Sequence, residues 1–371
     1  MKITAAVLEE IGRPAPYAES KPISICEVDL EGPRENEVLV KIVAAGLCHS
    51  DLSVVNGDRP RQLPLVMGHE SAGVVQEVGP GVTRFAPGDH VVSVFMPSCG
   101  YCGPCRAGRP ALCEPGAAAN GQGYMVGGGS RLSRNGQPAY HMTGVSCFAD
   151  YAVMSQNSLV RVDPSVPLDI AALMGCAVQT GAGAVFNTGD VCAGCSTAIV
   201  GLGGVGLSAI MAAHAAGADK IIAVDVLDEK LQLARQLGAT HMINSSHEGA
   251  SAELRDLTSG GVDTALEFTG NVKALRFAYD VTRRGGTTIT GGLPNPNAVL
   301  ELPAVGITGE ERTLKGSYLG SGIPSRDIPR FLALYAKGLF PVDRLMSEKI
   351  KLKDINAGFD KLHAGKTIRQ V

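Results

Sequence analysis

Between residues 197 and 320 the chain alternates short apolar runs with segments of helical period, and no other stretch restricts the fold as strongly. The runs TAIVG (197–201), KIIAVD (220–225), HMIN (241–244), DTALEFTG (263–270), TTITGG (287–292) and TLKGSYLG (313–320) have strand length and mostly β-branched or apolar content. Helical segments fall at 205–216, from Asp228 to Gly238, near 248–258 and at 272–282. A strand followed by a helix returns the chain to the same end of the sheet, so successive strands pair in parallel. Six of them predict an α/β, doubly wound parallel sheet.

Inside that sheet, Gly201-Leu202-Gly203-Gly204-Val205-Gly206 reads G-x-G-x-x-G directly between a strand and a helix. Glycines there allow a tight turn and let backbone N–H groups approach a pyrophosphate at the positive end of the helix. Asp225 closes the next strand, where a carboxylate meets the ribose hydroxyls of a dinucleotide and repels a 2′-phosphate. NAD is therefore expected rather than NADP, with Lys230 within reach of the same ribose.

The first 175 residues have another texture. EVLVKIVAAG (37–46), SAGVVQEVG (71–79) and DHVVSVF (89–95) read as short strands separated by Gly and Pro turns. The last fifty residues carry amphipathic helical stretches such as DIPRFLALYAKG (327–338) and are expected to rejoin this region. The expected organisation is 1–177, 178–320 and a returning segment 321–371. A length of 371 residues accommodates two domains. The net charge of −3, with no basic block, argues against nucleic acid as a partner. Residues 198–218 are long and nearly uncharged, but their clustered glycines suit a strand, turn and helix better than a membrane span. The N-terminal apolar run is cut by Glu9 and Glu10, so no signal peptide is evident. Ten cysteines without a secretory signal imply a reducing, cytoplasmic setting in which thiols bind metal.

Four of those cysteines, Cys99, Cys102, Cys105 and Cys113, follow C-x2-C-x2-C-x7-C. An iron–sulfur run of bacterial type also begins C-x2-C-x2-C but continues x3-C-P, whereas Cys113 here is followed by Glu-Pro. A single zinc held by all four thiolates is expected, and a closed tetrahedron leaves no position for substrate, so this lobe reads as structural. Chemistry then needs a second site. GLCHSD (46–51), GHES (68–71) and Cys176 in GCAVQTGAG each offer ligands, though none is decisive alone. Cys192 and Cys195 form a C-x-x-C just before the first parallel strand; with Cys26 and Cys147 they read as unpaired thiols.

Taken in order, GLCHSD, GHESAGVV, the four-cysteine lobe, GC-x3-TG, GLGGVGL, AVD and INAGFDKLHAGKTIR resemble the zinc-dependent medium-chain alcohol dehydrogenases from end to end. The long segment between Cys113 and Phe148 resembles the animal-type and benzyl-alcohol-type members. The resemblance implies a GroES-like β-rich catalytic domain plus a Rossmann domain, with the active site in the cleft between them. It also implies two zinc ions per chain, the catalytic one on Cys48, His69 and Cys176 with water or substrate as fourth ligand. By the same resemblance Asp51 and Glu70 orient these ligands, and Ser50 takes the alcohol proton. His49 and Arg369 contact the cofactor pyrophosphate, and Thr180 packs the nicotinamide ring. Ser53 stands where many members have the histidine that ends the proton relay, so water or His49 is expected to take that part.

Phe95, Met142, Thr143 and Leu293 match positions lining the substrate channel. The implied reaction interconverts medium-sized primary alcohols, aromatic and allylic ones included, with their aldehydes by hydride transfer from a zinc-bound alkoxide to NAD. A homodimer is implied, with a homotetramer as the alternative. Two competing readings remain. One is a formaldehyde dehydrogenase acting on a glutathione or mycothiol adduct, for which Asp58 resembles an acidic contact but no basic residue follows Cys113 before Arg131. The other is a non-catalytic zinc- and nucleotide-binding relative, which the retention of all three ligands and Ser50 disfavours.

Overall fold

The computed structural model describes residues 1–371, which divide into two compact units. The first comprises 1–176, 323–332 and 343–371, and the second 177–322 and 333–342.

Ten strands build the body of the first unit: β1 (Lys2–Leu8), β2 (Ile23–Leu30), β3 (Glu37–Ala45), β4 (Leu65–Val66), β5 (Ser71–Val78), β6 (His90–Ser93), β7 (Leu132–Arg134), β8 (Gln137–His141), β9 (Tyr151–Ser155) and β10 (Leu159–Arg161). A closed barrel runs β1-β2-β7-β8-β4, and a five-stranded sheet runs β10-β6-β5-β3-β9. Period-two patterning gives these strands two buried faces. On β1, Ala6 and Leu8 enter one core while Ile3, Ala5 and Val7 enter another; on β3, Val38 and Val40 oppose Leu39 in the same way. The carboxyl-terminal helix Ile355–His363 buries Ile355, Phe359 and Leu362 in the first of these cores, at the i, i+4, i+7 spacing of one helix face. Its loop end is tied back where Leu47 N–H donates to the Gln370 carbonyl at 3.0 Å. That bond brings the chain terminus beside the residues preceding Cys48.

In the second unit β11 (Ser196–Val200), β12 (Lys220–Asp225), β13 (His241–Asn244), β14 (Val262–Glu267), β15 (Thr282–Thr290) and β16 (Thr313–Gly316) form one sheet in the order β13-β12-β11-β14-β15-β16. Every pairing is parallel. The order reverses between β11 and β14, the switch point at which such sheets open a ligand crevice at their carboxyl ends. Two strands are shorter than their sequence runs. β14 stops at Glu267 because its carboxylate accepts the N–H of Gly270 at 2.8 Å and turns the chain away. β16 stops at Gly316, since Leu319 and Gly320 adopt left-handed φ angles of 50° and 65° that no strand continues through. Residues 198–218 resolve into the end of β11, the glycine turn and the helix Gly204–Ala215, which is buried along most of its length. No single helix is long and apolar enough to cross a membrane.

Candidate active site and metal centres

Three separated segments of the first unit bring Cys48, His69, Glu70 and Cys176 together. Cys48 caps the helix His49–Val55, and its N–H donates to the Asp51 carboxylate at 3.3 Å. His69 and Glu70 lie just before β5, behind Gly68, whose φ of 94° and whose contact with Phe148 leave no room for a side chain: an added Cβ would sit 2.6 Å from the Phe148 nitrogen. Cys176 ends the turn Leu173–Gly175, which packs on β6. One ligand atom from each of the four residues lies within 4.8 Å of the others, and all four residues are buried. The Cys48 and Cys176 sulfurs are 4.0 Å apart. Two thiolates at zinc–sulfur bond length around a tetrahedral ion stand about 3.8 Å apart, so the pair fits zinc without rearrangement.

His69 makes the strongest case for a metal. Its Nδ1 bonds the Asp51 carboxylate at 2.9 Å, while its buried Nε2 has no hydrogen-bond partner. A buried imidazole with one nitrogen held by a carboxylate and the other aimed at two sulfurs is the arrangement that orients a zinc-binding histidine. The local charges agree. Burial works against the imidazolium, but Asp51 and Cys48 together raise the His69 pKa well above its usual value. The bond with Cys176 holds the Cys48 thiol well below the usual range, and the same contact raises Cys176.

Glu70 belongs to the cluster more closely than an outer orienting role implies. One of its oxygens accepts the Arg369 guanidinium, and the other, Oε2, is buried without a partner. Burial pushes its carboxyl up to about 7 against the pull of Arg369. Arg369 is itself 4% exposed and tied to Glu70, a pairing the sequence reading did not anticipate. Its position in β18 (Arg369–Gln370), paired with β17 (Met346–Glu348), follows from the returning terminus.

The Ser50 hydroxyl oxygen accepts from the Cys48 thiol at 3.8 Å. Ser53, three residues on, donates to the Ser50 carbonyl at 2.8 Å, so its hydroxyl points back along the helix rather than onward to solvent. His49 is exposed beside them. The Phe95 ring meets His69 edge-on at 5.9 Å, and Met142 is buried. Thr143 has a φ of 51° and donates to the Met142 carbonyl at 2.8 Å. Leu293 belongs to the second unit and is 52% exposed.

The four-cysteine lobe is built differently. Cys99, Cys102, Cys105 and Cys113 also place their sulfurs within 4.8 Å of one another, but only Cys113 is buried. Backbone N–H groups of Cys99, Cys102 and Gly116 donate to sulfurs at 3.2, 3.3 and 3.4 Å. Such bonds favour thiolates. Although burial opposes it, the N–H groups of Tyr101 and Cys102 bring the Cys99 thiol down to about 7. Burial and the neighbouring Cys102 and Cys113 push Cys105 up to about 12, as expected for four thiols that need a cation to ionise together.

In the second unit, Gly201 has a φ of 91°, and a Cβ on Gly206 would fall 1.8 Å from the Gly201 carbonyl oxygen. Gly203, extended at φ −80°, has open space beside it and leads into Gly204 and Val205 at the helix start. Asp225 pins this loop directly: its carboxylate accepts the N–H of Leu202 at 2.7 Å, and those of Val226 at 2.8 Å and Leu227 at 3.1 Å. Lys230 is half-buried on the helix Asp228–Gln236, and Thr180 half-buried on Ala177–Gly183.

Residues 34–164 match the alcohol dehydrogenase GroES-like domain, and residues 204–337 the zinc-binding dehydrogenase domain. An NDMA-dependent alcohol dehydrogenase from Amycolatopsis methanolica is 42% identical, with 100% of this chain and 98% of the relative covered. The chain belongs to the zinc-dependent alcohol dehydrogenase family. The S-(hydroxymethyl)glutathione dehydrogenase of Paracoccus denitrificans is 40% identical over 100% of this chain and 99% of its own. The crystal structure of benzyl alcohol dehydrogenase from Acinetobacter calcoaceticus superposes with a TM-score of 0.93 at 35% identity, over 100% of this chain and 98% of that one. This dehydrogenase is thus an oxidoreductase that works with zinc and a nicotinamide dinucleotide, on a GroES-like unit and a Rossmann sheet.

Proposed function

We propose that this dehydrogenase interconverts medium-sized primary alcohols, aromatic and allylic ones included, with their aldehydes, and that Cys48, His69 and Cys176 hold the catalytic zinc. The unpartnered, buried His69 Nε2 facing two sulfurs 4.0 Å apart carries this reading. Bound there, zinc supplies a Lewis acid for the alcohol oxygen and NAD supplies the hydride acceptor. The protein's own groups do the rest. Asp51 keeps the His69 proton on Nδ1, so Nε2 presents its lone pair to the cluster. The Ser50 hydroxyl, beside Cys48, receives the alcohol proton at Oγ. Because Ser53 is turned back to a carbonyl, the proton leaves through water or the exposed His49. Glu70, neutralised by Arg369, offers Oε2 to the cluster without adding an unpaired charge. Phe95 and Met142 give the site an apolar wall, with Thr143 beside Met142.

The cofactor is NAD, held on Gly201–Gly206, with Asp225 set against a 2′-phosphate, Lys230 beside the ribose, and Thr180 against the nicotinamide. The four-cysteine lobe holds the second, structural zinc. The protein is a cytoplasmic homodimer without membrane or nucleic-acid partners. Support for the dimer comes from β16, which lies at the sheet edge with all four residues exposed, near Val305 at 78% and Ile307 at 47% exposure. The thiol-adduct reading is disfavoured because Arg131, the first basic residue after Cys113, is buried and spends its guanidinium on both oxygens of Glu37, at 2.8 and 2.7 Å. It is not available to a glutathione carboxylate.

The test is a panel of alcohols and aldehydes with NAD and NADP, read as kcat/KM, with formaldehyde assayed with and without glutathione or mycothiol. Benzyl-type alcohols with NAD should give the highest values. Turnover of formaldehyde only when a thiol is present, above that of any alcohol, would transfer the assignment to the adduct reading.

A further inference from the structure

Cys192 and Cys195 take no part in either metal cluster, and their loop has a geometry of its own. The Cys195 N–H donates to the Cys192 carbonyl at 3.1 Å, which closes a four-residue β-turn with Gly194 at φ 84° in its third position. The two Cα atoms of such a turn lie within about 7 Å, the span that a disulfide bridges. The Cys192 N–H also donates to the Cys195 sulfur at 3.3 Å, a bond that a thiolate accepts better than a thiol. Outside the turn, Gly194 N–H holds the Gly217 carbonyl at 3.1 Å and Asp219 N–H holds the Cys195 carbonyl at 2.9 Å, so the turn is fastened at both sides. Of the ten cysteines, Cys192 alone is exposed, and the sulfur next to it is half-buried.

We propose that Cys192 and Cys195 are an oxidisable dithiol that reduces small disulfides of the low-molecular-weight thiol class and closes into a reversible disulfide in doing so. In the first step the Cys195 sulfur attacks one sulfur of the small disulfide, forming a mixed disulfide and releasing one small thiolate. In the second, Cys192 attacks the Cys195 sulfur, the Cys192–Cys195 bond forms and the second small thiolate leaves. The two protons of the dithiol pass to the two released thiols, and the pair has given up two electrons. The sulfurs act as a unit: contact with Cys195 raises the Cys192 pKa, with burial, Asp263 and Asp190 adding to the rise. The Cys192 N–H bond to the Cys195 sulfur favours Cys195 as the attacking group and leaves Cys192 as the resolving thiol.

The position of the turn sets the consequence. It precedes β11 at its amino end, whereas Gly201–Gly206 follows β11 at the carboxyl end, with five strand residues, about 17 Å, between. Oxidation should therefore leave cofactor use unchanged. Because the turn carries the chain's one exposed cysteine, the pair should also react before the buried thiols of the active-site cluster.

The zinc-loaded enzyme is incubated with oxidised glutathione and followed by intact mass, peptide mapping, zinc content and kcat/KM. The expected result is a loss of two hydrogens, a single Cys192–Cys195 cross-link reversed by dithiothreitol, full zinc content, and kcat/KM changed by less than about twofold. Cys192→Ser should retain a stable glutathione adduct on Cys195, because the resolving thiol is gone. A lasting adduct on the unmodified enzyme would overturn the proposal. So would a cross-link that involves a zinc cysteine with loss of metal, or no reaction while maleimide still labels Cys192.

Discussion

The two candidate metal clusters of this dehydrogenase share one element of chemistry, thiols within 4.8 Å of one another, and on the proposed reading turn it to opposite ends. The lobe draws four cysteines from fifteen consecutive residues, leaves three of them half-exposed, and holds its sulfurs with nearby backbone N–H groups. The second cluster, proposed as the active site, gathers its candidate ligands from positions 48, 69 and 176, buries them all, and holds them with a carboxylate behind His69 and an ion pair behind Glu70. Local sequence builds the first and tertiary structure the second. A site assembled by the fold can keep one coordination position open, because each ligand is oriented from outside the metal. A site assembled by its own loop depends on the metal for its shape, and closing all four positions gives it that shape.

The sharpest break of this comparison is Cys176→Ser. It removes a ligand from the open site alone, so turnover should fall by roughly a thousandfold or more. Metal analysis should show a loss of one zinc per chain while the thermal midpoint stays near that of the parent enzyme. Next in size is Asp51→Asn. The amide still reaches His69 but no longer favours the proton on Nδ1 as a carboxylate does, and zinc affinity should weaken by roughly 10–100-fold in a competition with a chelator. The lobe should respond in the opposite sense. Cys102→Ser should lower the midpoint by roughly 5 °C or more, with kcat per folded chain within about twofold of the parent. The smallest effect separates acid loss of metal from acid loss of fold. His141 accepts the Arg131 N–H at 3.1 Å, and burial, helped by the Arg131 charge, pulls its pKa from 6.5 down to about 3. The unfolded chain binds this proton below 6.5 and the folded chain does not until about 3, so stability is lost as pH falls across that window. His141→Gln should flatten this acid slope, by on the order of a few kcal/mol in urea unfolding at pH 4.5 against pH 7, with no change in zinc content at neutral pH.

Most of the second unit could be read directly because its signals are local. Period and glycine spacing marked KIIAVD and HMIN to the residue, and the strand–turn–helix around Gly201 was legible from its motif. The ends of β14 and β16 were not, since they depend on the Glu267 carboxylate and on positive φ at Leu319, neither of which alters apolar content. The lobe likewise announced itself through spacing. The active-site cluster was legible only by resemblance, because nothing local joins GLCHSD to Cys176. The pairing of Arg369 with Glu70 spans 299 positions and is created when the terminus returns to the first unit. Asp225 was read for its charge toward a ribose; its hold on the Leu202 N–H became evident only with the loop folded.

The most direct test of the division of labour is kcat per folded chain for Cys102→Ser, measured at a temperature where the variant remains folded and with its zinc counted. The account predicts one zinc per chain and a kcat within about twofold of the parent, because the remaining ion sits on Cys48, His69 and Cys176. A folded variant that retains one zinc but loses turnover as completely as Cys176→Ser would place the chemistry in the lobe and contradict it.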